Sequence, residues 1–232
     1  MNGLHICVAG CTNAMNYAAK ALSESDCTVT RHPTDLTQCV LLDVPLREDP
    51  SPILSQLPAD VIVAGGKLSL DGHRQIDLLQ DAVYLAQNAN ITAHCAVKIA
   101  MNHLPVILQD QPVLIVGWGR IGKCLATLLR NMGAHVWIYA RKESDRAMLQ
   151  ALGYGNGELT DTDRYRVIFN TVPTLLLPQI HSRCLKIDLA SVPGIAGDDV
   201  IYARGLPGKE AAESSGALIA QRLLHLMKGV LT

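Results

Sequence analysis

The stretch "PVLIVGWGRIGKCLATLLRNMGAHVWIYARKES" runs from Pro112 to Ser144. Val113–Val116 is an apolar run that reads as a buried strand, and it stops at a glycine. Arg120–Met132 carries apolar residues at helical spacing, and His135–Tyr139 is β-branched and aromatic, the composition of a second strand. Between strand and helix lies Gly117-Trp118-Gly119-Arg120-Ile121-Gly122, which satisfies G-x-G-x-x-G. A lone match of this kind says little. Here it sits in the strand–turn–helix–strand setting that a dinucleotide-binding turn requires. The first glycine permits the turn, the second lets a pyrophosphate approach the backbone, and the third lets helix and strand pack closely. The start of the helix offers unpaired N–H groups and partial positive charge to a phosphate. Residues 117–122 are therefore expected to hold a dinucleotide, the alternative being a glycine turn that binds none.

The end of the second strand bears on which dinucleotide. An NAD site places Asp or Glu there, against the ribose hydroxyls. This chain has Ala140, then Arg141, Lys142, Glu143 and Ser144. With no carboxylate at Ala140 to repel a 2′-phosphate, and with Arg141, Lys142 and Ser144 beside it, NADP is favoured over NAD. The competing reading is that Arg141 and Lys142 are a solvated loop pair.

Outward from this segment, strands and helices alternate. On the N-terminal side lie strand-like Leu4–Gly10, a helix over Asn13–Ser23, strand-like Cys27–Arg31 and Gln38–Val44, a Pro-rich loop over 45–58, and strand-like Asp60–Gly66. Helical segments follow from about Asp77, with Thr92 a candidate N-cap for the second, Thr92–His103. On the C-terminal side come a helix over Glu143–Leu152, a loop, strands over Arg166–Asn170, Cys184–Ala190 and Val200–Ala203, a short helix after Pro178, and a final helix over Ser214–Lys228. This order predicts an α/β protein: a Rossmann-type doubly wound parallel sheet preceded by a smaller α/β domain, with the C-terminal helix returning to the first domain. The predicted boundaries are a small N-terminal substrate-side domain over 1–90, a connecting helix over 91–108, a dinucleotide-binding domain over 109–208 and the C-terminal helix over 209–232. The apolar face of "GALIAQRLLHLM" predicts a helix packed near the joining helix, and the chain is expected to be a homodimer.

Composition narrows the function classes. Of 232 residues, 49% are hydrophobic and 18% charged, which supports a sizeable core and argues against disorder. Formal net charge is −1 without a basic block, and aromatic residues are 4%, so neither nucleic acid nor an anionic membrane is an expected partner. No run of about 18 apolar residues and no signal peptide is visible. Seven cysteines without a Cys-x-x-Cys read as reduced thiols of a cytoplasmic protein, with Cys7 and Cys11, at a strand end, read as packing residues. Eight scattered histidines give no metal-ligand spacing, and no Gly-x-Ser-x-Gly elbow occurs.

Other segments carry a resemblance. "NANITAHCAVKIAM" (88–101), "NTVP" (170–173), "IDLASVPG" (187–194) and "ARGLPGKEAAESSGALIAQ" (203–221) together resemble the A subunit of dipicolinate synthase. Gly-Leu-Pro-Gly-Lys followed by Ser-Gly is the most specific part. That family is similar in plan to D-2-hydroxyacid dehydrogenases. The resemblance implies formation of dipicolinate with NADP as oxidant, a small carboxylate substrate and, as partner, a flavoprotein-like B subunit. It also implies that Asn170, Thr171 and Pro173 line the nicotinamide and that Lys209 holds a substrate carboxylate where the dehydrogenases carry their catalytic His. His94 is the second catalytic candidate, because imidazole as a residue type suits proton transfer. Asp188, in an otherwise apolar strand, reads as a buried carboxylate bonded to backbone groups. The N-terminal part departs from the family. Gly-Gly-Asp-x-Arg is replaced by Ala9-Gly10-Cys11-Thr12-Asn13, and Thr-Ala-Glu-Gly by Thr92-Ala93-His94-Cys95. Two other readings stand beside this one. One is a D-2-hydroxyacid dehydrogenase-like enzyme, although no Arg…Glu…His set appears in order. The other is a dinucleotide-binding regulatory or scaffold subunit without chemistry.

Overall fold

The computed structural model describes residues 3–58, 60–178 and 183–231. The chain divides into two compact units, Met1–Asn88 with Pro207–Thr232, and Ala89–Leu206. The helix expected after Pro178 lies outside the described residues.

In the first unit the order is β1 (His5–Val8), α1 (Asn13–Ser23), β2 (Thr28–Thr30), β3 (Cys39–Leu41), α2 (Ser51–Leu54), β4 (Ile62–Gly65), β5 (Gln75–Asp77) and a 3-10 turn, Leu78–Gln80. The strands form one parallel sheet in the order β2-β1-β3-β4-β5. Side chains alternate across it. Cys7, Val40 and Val63 point to a face covered by Leu46, Ile53, Leu54 and Leu57, so the Pro-rich loop with its one-turn helix α2 serves as the lid of that core. The edge strand β5 carries no apolar run to announce it. It is fixed from outside, because Asp77 accepts from the backbone N–H groups of Lys67 (3.2 Å), Leu68 (3.2 Å) and Leu79 (2.8 Å).

The next helix, α3, spans Ala82–His103 without interruption. The expected start at Thr92 is therefore wrong: Thr92 is buried in mid-helix. The span holds neither Gly nor Pro, and its six alanines sustain the helix through both segments. The cap is Asp81, whose carboxylate accepts from Val83 N (3.2 Å) and Tyr84 N (3.1 Å).

The second unit contains β6 (Pro112–Val116), α4 (Arg120–Asn131), β7 (His135–Tyr139), α5 (Glu143–Ala151), β8 (Gly155–Asn156), β9 (Val167–Asn170), β10 (Leu185–Asp188) and β11 (Val200–Tyr202). All its strand pairs are parallel, in the order β11-β10-β9-β6-β7-β8. This is the doubly wound order, reversing direction between β6 and β9, where ligands of such sheets bind. Leu114, Val116, Ile168, Leu177 and Ile195 make a core on one face, with Trp137 and Tyr139 packed against it. The two-residue β8 escaped sequence reading because tertiary contact makes it: a side chain at Gly155 would strike the Trp137 indole at 2.4 Å.

Two helices close the chain, α6 (Leu206–Glu210) and α7 (Ala212–Leu231). Pro207, Gly208 and Lys209 fold into the short helix α6, and α7 starts two residues before the expected Ser214. In the first unit α7 lies along α1. A Cβ on Gly216 would meet Ala14 O at 2.4 Å and Ala18 N at 2.6 Å, so backbone packs on backbone there. The joining helix is reached as well, through Arg222, whose Nε donates to Asp81 at 2.6 Å. Burial pushes the Asp81 pKa up, but Arg222 and the two capped N–H groups outweigh it and leave the carboxyl below its ordinary value.

Two outcomes follow for stability. Gly216→Val forces α1 and α7 apart and should cost about 1–3 kcal/mol, read from urea unfolding. Arg222→Met should cost roughly 2 kcal/mol at neutral pH. Because the folded-state pKa of Asp81 is lowered, its contribution is complete above about pH 4, the unfolded range, and fades as pH falls through the folded value. The gap between Arg222→Met and the wild type should therefore narrow on acidification, and a gap constant to about pH 3 would contradict the pairing.

Candidate functional site

The glycine turn follows β6 at the carboxyl edge of the second unit's sheet. Gly117 has φ +107°, which disfavours any side chain, and a Cβ there would lie 2.5 Å from Thr171 Oγ1. A Cβ on Gly122 would lie 2.2 Å from Gly117 O, so the third glycine lets α4 close on the turn. Gly119 differs from both. It is exposed, it precedes the first residue of α4, and a Cβ would meet nothing within 4 Å. Two glycines are thus needed by the fold and the middle one faces open space, as a turn that admits a phosphate requires.

The loop after β9 is drawn onto this turn. Thr171 N and Thr171 Oγ1 both donate to Val116 O at 2.9 Å. Asn170 is wholly buried and its amide is used inside the protein. Its Nδ2 donates to Val172 O (3.0 Å) and Asp188 Oδ1 (3.1 Å), and its Oδ1 accepts from Val172 N (3.1 Å). Asn170 thereby shapes the loop, while Pro173 at its tip is exposed. Asp188 also accepts from the N–H groups of Ala190 (3.0 Å), Gly194 (2.7 Å) and Ile195 (3.0 Å). Its role is the one read from the sequence, a buried carboxylate bonded to backbone groups.

At the end of β7, Ala140 is buried, and Arg141, Lys142 and Ser144 are exposed. Sequence reading passed over Arg146. Its Nη1 donates to Ala140 O (3.2 Å) and Arg141 O (2.6 Å), which holds a third cation at this strand end. Its place one turn into α5 gave no signal of that. Glu143 and Asp145 share this first turn. Trp118 and Tyr154 meet edge to face, with centroids 5.8 Å apart, and Lys123 lies over the indole. Arg120 is exposed and Ile121 half-buried. A second cation missed by sequence is Arg204, at the end of β11. Its Nη1 donates to Ser191 O (2.8 Å), while its Nε and Nη2 are buried without a partner among the described residues.

The two catalytic candidates are not brought together within one unit. His94 is exposed on the part of α3 belonging to the second unit, and Lys209 is exposed in the last turn of α6, in the first. In the first unit, a 260 Å³ pocket opens at the carboxyl ends of β1 and β3, lined by Cys11, Asp43, Glu48 and Asp49 among apolar residues. Its charges are acidic. Asp43 accepts from Thr12 Oγ1 (2.9 Å), Thr12 N (3.3 Å) and Cys11 N (3.3 Å). Cys7 is fully buried, as a packing residue should be, but Cys11 is exposed, against expectation, because β1 has ended before it. The Asp43 carboxylate, and then desolvation, raise the Cys11 pKa, which keeps the thiol protonated and weakly nucleophilic.

A doubly wound parallel sheet with a G-x-G-x-x-G turn at its switch point, with a second parallel α/β unit in the same chain, is a two-unit Rossmann-type α/β fold. Within that class, solved structures of the A subunit of dipicolinate synthase share the fold of this chain. The protein from Bacillus halodurans aligns at a TM-score of 0.82 and 19% identity, covering 98% of this chain and 99% of that one. The Bacillus subtilis protein aligns at 0.80 and 19%, covering 100% and 98%. Salmonella D-lactate dehydrogenase aligns at 0.65 and 14%, covering 96% of each. No protein-family model matches the sequence, and no curated protein matches it. Among the described residues, no helix is long and apolar enough to cross a membrane.

The second and third glycines of the turn should separate by experiment. Gly122→Ala should lower Tm by about 3–10 °C, as an overpacked backbone contact of about 1–3 kcal/mol does in a chain of this size. Gly119→Ala should leave Tm within about 2 °C, since the added methyl meets open space. Differential scanning calorimetry of the two variants decides it, and equal losses would mean that the turn is not built as described.

Proposed function

We propose that the second unit binds NADP and that the chain is an oxidoreductase resembling the A subunit of dipicolinate synthase, acting on a small carboxylate. The observation that carries this reading is the contrast at one sheet edge. Gly119 leaves open space at the helix start, and the strand end beyond it holds Arg141, Lys142 and the carbonyl-anchored Arg146 with no carboxylate at Ala140. The turn residues 117–122 would hold the pyrophosphate, and Arg141, Arg146 and Ser144 the 2′-phosphate, a guanidinium being suited to grip phosphate through two N–H groups. Bound there, the nicotinamide ring supplies hydride transfer.

The rest falls to the chain's own groups. Thr171 and Pro173 edge the nicotinamide half, with Asn170 holding their loop in shape. Arg204 is the cation from the second unit best placed to meet a carboxylate, because it lies at the carboxyl end of β11 with two donors unused. Lys209 is proposed as a second carboxylate grip and His94 as the group that moves a proton. The chain is proposed to act as a homodimer, and its proposed partner is a flavoprotein-like B subunit. The acidic pocket of the first unit favours a substrate less charged than dihydrodipicolinate, and it is also the observation that favours the alternative of a dinucleotide-binding scaffold.

Calorimetry with both nucleotides tests the cofactor. NADP should bind more tightly than NAD, and Arg141→Ala and Arg146→Ala should each weaken NADP by roughly tenfold or more while changing NAD little, the effect of a lost charged hydrogen bond. Equal affinities for the two nucleotides would overturn the NADP assignment. Hydride transfer from freshly generated dihydrodipicolinate, with and without a B subunit, separates the readings. Robust turnover would contradict the weaker-charge substrate, and cofactor-dependent binding of the partner without turnover would support the scaffold.

A further inference from the structure

A 510 Å³ cavity in the second unit is lined by three arginines, Arg164, Arg166 and Arg183, together with Asp163, Tyr165 and Cys184. It lies at the amino ends of β6, β9 and β10, the sheet edge opposite the glycine turn. With β6 five residues long, about 15 Å of strand separates the two edges. Nothing in the dinucleotide reading uses it.

Three guanidinium groups share this cavity with one carboxylate. None can lower the repulsion by losing its proton, since arginine stays charged in proteins. Arg166 is the most constrained of them. Its backbone is fixed on both sides, N donating to Pro112 O (2.7 Å) and O accepting from Leu185 N (3.0 Å). Its Nε is buried with no hydrogen-bond partner among the described residues. A buried donor left unpaired is costly, and an anion entering the cavity offers the missing acceptor. Arg164 lies over two rings, 4.9 Å from the Tyr165 centroid and 5.7 Å from that of Trp137. Stacking uses the face of a guanidinium and leaves its N–H edge available to an oxyanion. Arg183 lines the same cavity and adds charge where a ligand enters.

We infer that this cavity is a binding site for a small polyanion, a compound bearing phosphate or carboxylate groups, separate from the dinucleotide turn. Arg166, half-buried with its Nε enclosed, is its anchor, and Arg164 and Arg183 meet the remaining oxygens. The two chemistries share the same donors, so the probes distinguish them: inorganic pyrophosphate for phosphate, citrate for carboxylate.

Trp137 lies beside the stacked Arg164 and reports on the cavity. The chain has two tryptophans, so in a Trp118→Phe background the fluorescence comes from Trp137 alone. Titrating the full chain with pyrophosphate and with citrate should give a saturable change with at least one of them at millimolar concentration or below. The tighter probe identifies the chemistry. Arg166→Met should weaken it about tenfold or more, the effect of losing charged hydrogen bonds. Arg183→Gln, a milder change that keeps a polar side chain, should weaken it severalfold. Gly119→Ala should leave it unchanged. Failure of both probes to bind would overturn the inference. So would binding that survives both arginine substitutions, or binding that is lost in Gly119→Ala, since the anion would then occupy the dinucleotide turn.

Discussion

The carboxylate of Asp188 organises the carboxyl edge of the second unit's sheet. It has no exposure and accepts four hydrogen bonds, from the Asn170 amide and from the N–H groups of Ala190, Gly194 and Ile195. A charge so buried persists only where its lone pairs are filled. Filling them bends the chain after β10 back toward the loop after β9, where Leu176 N and Leu177 N donate to Gly194 O. Gly194 has to be a glycine, because a Cβ there would strike Asn170 Nδ2 at 2.3 Å. Asn170 in turn sets Thr171 against Gly117. From one carboxylate, through one amide and one hydroxyl, the geometry reaches the glycine turn itself.

Charge is distributed unequally between the two units. The second collects cations at both sheet edges: Arg141, Lys142, Arg146 and Arg204 at the carboxyl ends of the strands, and Arg164, Arg166 and Arg183 at the amino ends. The first unit presents Asp43, Glu48 and Asp49 around its pocket. In a chain of net charge −1 this separation is local and does not appear in the total. It bears on recognition, because a guanidinium meets phosphate or carboxylate bidentately and an acidic pocket disfavours both.

The first unit is held by a different device. Its C-terminal segment, α7, is distant in sequence and joins α1 through a backbone-to-backbone crossing at Gly216. Small residues at such a crossing let helices approach closely, so dispersion takes the place of large side chains. The Asp81–Arg222 pair adds direction, because one carboxylate caps α3 and holds α7 at the same time.

Much of this was legible in the sequence, because the signals are local. The apolar runs at β1, β4 and β6, the helix over Asn13–Ser23 and the glycine turn follow from the alternation of strands, the helical repeat and the steric freedom of glycine. The parallel α/β order follows from their succession, and the buried role of Asp188 from a carboxylate in an apolar strand. Other features follow from contacts between residues far apart in the chain. The strands β5 and β8 carry no periodic pattern and exist because neighbours fix them. Arg146, Arg166 and Arg204 look like ordinary surface arginines in the sequence, where nothing marks a side chain whose donors will be anchored on a carbonyl or buried without a partner. Sequence specified the elements through backbone preference and hydrophobic pattern, whereas which charges face one another depends on long-range packing, and only the tertiary structure decided that.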